Sequence, residues 1–66
     1  MPLVRKMEPG IWEIRSLLSD GRALRTLFTI ADSRMVLLHI FIKKSAKTPE
    51  RELKTARERV KQILGR

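Results

Sequence analysis

The side chains in this sequence best equipped for chemistry are its cations. Arg15 and Arg25 fall in two successive strand-like segments, Lys43 and Lys44 end a third, and Lys47 follows in the loop after it. Converging guanidinium and ammonium groups bind phosphate, and they stabilise the extra negative charge that builds up when a phosphodiester is attacked. RNA carries its own nucleophile, the 2′-hydroxyl. Positioning and charge stabilisation with some acid–base help can therefore cleave it without a metal. Read on their own, the same residues are also solvated charges at strand ends.

Other catalytic sets are thin. Cysteine is absent, which removes thiolate nucleophiles and disulfides, and His39 is the single imidazole, too little for a zinc site. Glu8, Glu13, Asp20, Asp32, Glu50, Glu52 and Glu58 form no obvious carboxylate couple, and Gly10, Gly21 and Gly65 are too dispersed for a phosphate loop. No metal and no cofactor are expected. His39 has the titration range of a general base, but a hydrogen-bonded core histidine is the preferred reading. Trp12 could stack on a base, yet its alternation with Ile14 favours the core.

The totals agree with a polyanion partner. Fifteen Lys and Arg against seven Asp and Glu give a net charge of +8. That draws a protein toward nucleic acid, ribosome or an anionic surface, though it also serves simply as a solubilising coat. Residues 1–66 make a single domain. A chain of this size buries only about 60% of its unfolded surface, so a partner chain or a further segment is expected to complete the core. The first ten residues lack a signal-like apolar run, and Met35–Ile42 is far shorter than the ~20 residues of a membrane span. The expectation is a cytoplasmic protein with no membrane association.

These side chains need elements to hold them. Ile11–Leu17, Ala23–Ile30 and Met35–Lys43 read as three strands, the last one apolar enough to be buried on both faces. From Thr48, apolar residues at Leu53, Ala56, Val60, Ile63 and Leu64 mark one face of a helix. Thr48 is the expected N-cap, Pro49 the first helical residue, Glu50 a partner for Lys54, and Gly65 the stop. Its basic stripe (Arg51, Lys54, Arg57, Arg59, Lys61) either grips phosphates or is the wet side of an amphipathic helix.

A three-residue Ser19-Asp20-Gly21 loop would set Leu18 opposite Arg22 and Arg15 opposite Arg25. A two-residue Asp20-Gly21 turn would instead put the arginines on opposite faces. With Asp32-Ser33 at the next tip, Phe28 faces Leu37 and Arg25 faces Ile40. In that register Trp12, Ile14, Leu24, Phe28, Leu37, His39 and Phe41 share one face, and Arg15, Arg25, Leu27, Leu38, Ile40 and Lys44 share the other. One helix cannot cover both. A second copy, a partner chain or an N-terminal segment is expected to cover the remainder.

The ordered pattern Gly10-Ile-Trp-Glu-Ile-Arg15, strand residue Arg25, Val36-Leu-Leu-His-Ile-Phe-Ile-Lys-Lys44 and Lys47-Thr-Pro-Glu-Arg-Glu52 resembles the phage-related, HigB-like branch of the RelE toxin superfamily. That branch tends to read G-(L/I)-W-E-L-R, L-L-H-x-F-x-K-K and K-T-P. The resemblance spans about residues 5 to 64. It implies an α+β fold, here a three-stranded antiparallel meander followed by one C-terminal amphipathic helix, a truncated form of the RelE-like fold. The truncation is an expectation, since the family pattern opens with a strand and two helices where only Met1 to Pro9 stand here.

In function, the resemblance implies the toxin of a type II toxin–antitoxin system: an mRNA-cleaving endoribonuclease acting on the ribosome, with a cognate antitoxin as partner. Carried over by position, Arg25 would meet the scissile phosphate with Arg15 and Lys44 in support, while Lys43 and Lys47 would hold RNA; Arg22 and Arg51 are further cations expected to hold it. The tyrosine the family often carries before the strand arginine is Leu24 here, so a phenolic acid or base is missing. The competing expectation is a non-catalytic basic module, a homodimer or larger oligomer, that holds nucleic acid or a partner chain.

Overall fold

The structure, a computed structural model, describes residues 3–43 and 47–65, with side chains up to Ile63. Lys44, one of the three residues expected at the scissile phosphate, lies outside them. Four strands, β1 (Leu3–Glu8), β2 (Ile11–Leu17), β3 (Ala23–Ala31) and β4 (Arg34–Ile42), form one antiparallel meander in the order β1-β2-β3-β4. Helix α1 (Glu50–Val60) follows, and a π-helical turn continues it over Lys61–Gly65. The α+β class agrees with expectation, but the sheet has four strands rather than three.

The additional strand is β1. Its six residues include three charges, and it lies at a sheet edge, mostly exposed. Edge strands lack the apolar alternation that marks a buried one, and charge there discourages edge-to-edge pairing. Gly10, at φ +86°, makes the tight turn that returns the chain into β2.

Both later hairpins close where the turn residues indicated. Gly21 has φ +90°, and the Leu18 N–H bonds the Arg22 carbonyl, so Arg15 pairs with Arg25. Asp32 and Ser33 take positive φ (53° and 63°), as a two-residue hairpin turn of this hand requires, and Phe28 pairs with Leu37. Beyond that point the expected register fails. A β-bulge at Leu38 gives β4 an extra residue, so Leu27 faces His39 and Arg25 faces Phe41, not Ile40. His39 and Phe41 therefore move to the face of Arg25, and Ile40 moves to the face of Trp12.

The core lies between the sheet and α1: Ile11, Leu27, Leu38 and Ala56 are buried there, with Met7, Phe41, Leu53 and Val60 packed around them. The Leu53/Ala56/Val60 spacing thus faces the sheet as its periodicity required. The helix start is corrected: Pro49 is the capping residue with no side-chain cap, and Thr48 bonds elsewhere. Gly65 lies inside the π-helical turn rather than after the helix. Glu50 pairs with Arg57 instead of Lys54.

The opposite face of the sheet has no covering element among the described residues. Val4, Ile30, Met35, Leu37 and Ile40 on it are all exposed.

Candidate nucleic-acid interface

Arg15 and Arg25 face each other on neighbouring strands, but their surroundings differ. Arg25 is 2% exposed. Its Nη1 donates to Glu13 Oε2 at 2.8 Å, and the Thr48 hydroxyl donates to the same oxygen at 2.6 Å. Arg25 Nη1 also lies 3.4 Å from Thr48 Oγ1. Glu13 is fully buried, so the two charges neutralise each other beneath the loop that leads into α1. Arg25 Nε and Glu13 Oε1 have no hydrogen-bond partner among the described residues. In this conformation the Arg25 guanidinium is committed to Glu13 and cannot meet a phosphate from solvent.

Arg15, on the other inner strand, is half-buried, with no ion pair or hydrogen bond among the described residues. Lys43 is held at the same end of the sheet, because its N–H bonds the Ala23 carbonyl. Strand alternation from Phe41 sets Lys43 on the Arg15 face. Arg22 rises from the hairpin tip at that end, ion-paired with Asp20 at 2.7 Å and largely exposed. Arg51, on the first turn of α1, is the most open of these cations, with Nε 3.7 Å from Glu52 Oε2. Lys47 is exposed in the bend before the helix.

The fold therefore gathers Arg15, Arg22, Lys43, Lys47 and Arg51 around one end of the sheet, beside the start of α1. A shallow groove lined by Phe41, Ile42, Pro49, Arg51 and Glu52 opens there. Such a rim can hold successive phosphates of a strand by charge and hydrogen bonding. Arg25 is set apart from it by burial.

The rest of the helix stripe divides. Arg57 is bidentate to Glu8 (2.8 and 3.0 Å) and also bonds Glu50 at 2.5 Å, tying α1 to β1. Hydrogen bonds to Glu8 first, then to Glu50, push the Arg57 pKa up, while the Arg57 hydrogen bond lowers that of Glu50. Arg59 donates to the Leu38 carbonyl at the bulge, an acceptor the extra residue takes out of the regular ladder. Lys54 and Lys61 remain on the exposed side.

His39, redirected by the bulge, bonds Glu52 and stacks on Phe41 with ring centroids 5.6 Å apart. It is the hydrogen-bonded histidine the residue types suggested, although it lies on the helix face and not the expected one. Trp12 stacks on Phe28 at 6.0 Å, with Lys6 Nζ 5.8 Å from its ring. That puts it on the uncovered face, away from the rim.

The partners that sequence reasoning missed are Glu13, Thr48 and Glu52. A signal for Glu13 was present: once Arg15 is set opposite Arg25, Glu13 lies on the same face, and an arginine under a helix needs a counter-charge. Among the described residues, no group of three or more His, Cys, Asp or Glu could hold a metal, and no helix is long and apolar enough to cross a membrane.

No curated protein and no solved structure matches the chain. Residues 1–61 match the family described as Phage derived protein Gp49-like (DUF891), which is linked to RelE/HigB-like toxins. With that match running along nearly its whole length, and with an antiparallel sheet and C-terminal helix presenting a cationic rim, the chain belongs to the Gp49-like family.

Proposed function

We propose that this protein is the toxin of a toxin–antitoxin pair and acts on mRNA at the ribosome, gripping the RNA backbone with the rim formed by Arg15, Arg22, Lys43, Lys47 and Arg51. The observation that carries this reading is the pairing state of Arg15 and Lys43. In a Gp49-like chain of net charge +8, these two cations sit on one face at the open end of the sheet with no acidic partner among the described residues. Charge held unpaired beside a groove suits a polyanion, and its release of counterions would make binding strongly salt-dependent. Cleavage would proceed by attack of the RNA 2′-hydroxyl on the adjacent phosphorus, its proton passing to water, while the P–O5′ bond breaks and the departing 5′-oxygen takes a proton from water, leaving a 2′,3′-cyclic phosphate and a 5′-hydroxyl. Arg15 and Lys43 would stabilise the phosphorane charge, and Lys44, next in sequence to Lys43, would add to it. The antitoxin partner and a cytoplasmic site of action follow from the same reading.

A second reading, binding without cleavage, is favoured by one observation: Arg25, the strand arginine expected at the scissile phosphate, is buried and spent on Glu13. This also changes which substitution tests the chemistry. Arg25→Ala would strip the counter-charge from a buried carboxylate and unsettle the fold, so loss of activity there would not isolate catalysis. Arg15→Ala touches no described partner.

The test is translation of a reporter mRNA in a cell-free bacterial extract with wild-type protein and Arg15→Ala, mapping RNA ends by primer extension. New ends with wild type that fade with Arg15→Ala support a ribosome-linked nuclease. Intact message, with salt-dependent RNA retention lost in graded fashion across Arg15, Lys43 and Arg51 variants, would transfer the reading to a binding module.

A further inference from the structure

We infer that the uncovered face of the sheet is a self-association surface on which a second copy of this chain packs face to face, making an eight-stranded sandwich with the two α1 helices outside. The inference stands apart from the RNA reading, because it concerns the opposite side of the sheet.

Three observations point to a second copy. The first is composition. Strand pairing gathers Ile14, Thr26, Phe28, Leu37 and Ile40 on this face, and Leu37 and Ile40 are 56% and 51% exposed. Isolated apolar residues on a surface are ordinary, but a contiguous sheet face of them is characteristic of an interface.

The second is charge. Of the charged residues in the described strands, pairing and alternation set only Lys6 on this face, and it lies over the Trp12 ring near the β1 edge. Arg5, Glu8, Glu13, Arg15, Arg25 and Arg34 fall on the helix side. A chain of net charge +8 would ordinarily repel its own copy. Here, face-to-face packing keeps nearly all that charge outward, whereas an acidic partner would find its complement on the other side.

The third is area. Four strands about 4.8 Å apart, each about seven residues long at about 3.3 Å per residue, give a face of roughly 440 Å² in projection. Two such faces with their protruding side chains approach the ~1,200 Å² at which specific interfaces begin. The chain has reason to use that area, since its fully buried apolar residues on the helix side are only Ile11, Leu27, Leu38 and Ala56 among those described. Twisted sheets pack aligned at about 10 Å, the separation that lets half-exposed Leu and Ile side chains interdigitate.

Sedimentation equilibrium of the purified chain from about 1 to 100 µM is the test. The expected result is twice the 7.7 kDa chain mass. Thr26→Lys puts a charge at the centre of the face on an inner strand, and Leu37→Lys does so at an already exposed position. Each should weaken the dimer at least about tenfold, because two ammonium groups would be buried unpaired at each interface. Leu17→Lys, at a 79% exposed position on the helix side, should leave the dimer intact. Circular dichroism of each variant checks the fold, and if Thr26→Lys does not fold, Leu37→Lys alone decides. A wild-type monomer across the whole range would overturn the inference. So would a dimer that both face variants leave unchanged, which would mean pairing through the open β1 or β4 edges.

Discussion

The two arginines that face each other across β2 and β3 are the same residue type in adjacent positions on the same side of one sheet. One is buried, bonded to Glu13 and covered by the loop that Thr48 pins down. The other is half-buried at the open end of the sheet with no described partner. Strand pairing brought them together, and coverage by the start of α1 separates their chemistry. Under the helix an arginine must be neutralised to be tolerated, and once neutralised it anchors the helix. Beyond the helix an arginine keeps its charge available. The boundary between architecture and binding surface in this molecule runs between two directly opposed side chains.

The sharpest way to break that comparison is to remove the counter-charge. Glu13→Ala leaves the Arg25 guanidinium buried and unpaired, and by the usual cost of breaking a buried pair it should destabilise the fold by about 3–5 kcal/mol. That is most of what a small domain has, so urea unfolding should show a collapsed or missing transition. The double variant Glu13→Leu/Arg25→Met, apolar and of comparable volume, should recover most of the loss. If Glu13→Ala unfolds like wild type, the buried pair is not an anchor, and Arg25 returns as a candidate for the rim.

Thr48 tests the next layer. Its hydroxyl donates to the carboxylate oxygen that Arg25 also uses. Thr48→Val keeps the shape and deletes the donor, and hydrogen bonds to charged groups contribute about 1.5–3 kcal/mol, so a loss near the lower end of that range is expected for this half-exposed residue. Arg25 and Glu13 remain paired in the variant. Thr48→Val should therefore loosen the junction of β4 and α1, and hydrogen exchange at the first turn of the helix should accelerate more than in β2 or β3.

Arg15→Ala is the counterpart on the open side. With no described partner to lose, it should change stability by less than about 0.5 kcal/mol. Its effect should instead appear in RNA retention, with the log–log salt slope falling by about 0.7 as one phosphate contact on a single strand is lost. A destabilisation comparable to that of Thr48→Val would mean that Arg15 belongs to the architecture as well.

Much of this arrangement was legible in the residues, for reasons that also explain what was not. Asp20-Gly21 and Asp32-Ser33 are short polar interruptions between apolar runs, and turn chemistry is local, so both hairpins could be read directly, whereas the Arg15/Arg25 pairing hung on which of two turns formed and is settled by the longer one. The bulge at Leu38 could not. Met35–Ile42 is apolar at both parities apart from His39, so a one-residue slip leaves the pattern unchanged, and no glycine or proline marks the place. The slip carried His39, Phe41 and Ile40 to unexpected faces. Strand β1 was hidden by its own edge position, where charge replaces alternation. The contact of Thr48 with Glu13 joins residues 35 positions apart and overrides a capping preference that is purely local.

The smallest expected effect lies at the far side of the helix, where Arg57 joins Glu8 and Glu50. The Glu50 carboxyl is held below its ordinary pKa, first by the hydrogen bond from Arg57 and then by its charge. A carboxyl with a depressed folded pKa adds stability above its unfolded value, and loses it as pH falls through the lower, folded one. Arg57 is raised still further from any accessible pH, so it adds no titration of its own. The prediction is a shallow decline in stability on the acid side of the ordinary carboxylate range. Because both side chains are solvent-exposed, it should shrink in high salt. In Arg57→Met the Glu50 part of that decline should vanish, which urea midpoints measured between neutral pH and pH ~3 would register. Should the acid-side decline stay the same size in Arg57→Met, the Arg57–Glu50 pair is not its source, and the junction of α1 with β1 holds the helix by geometry without adding to acid stability.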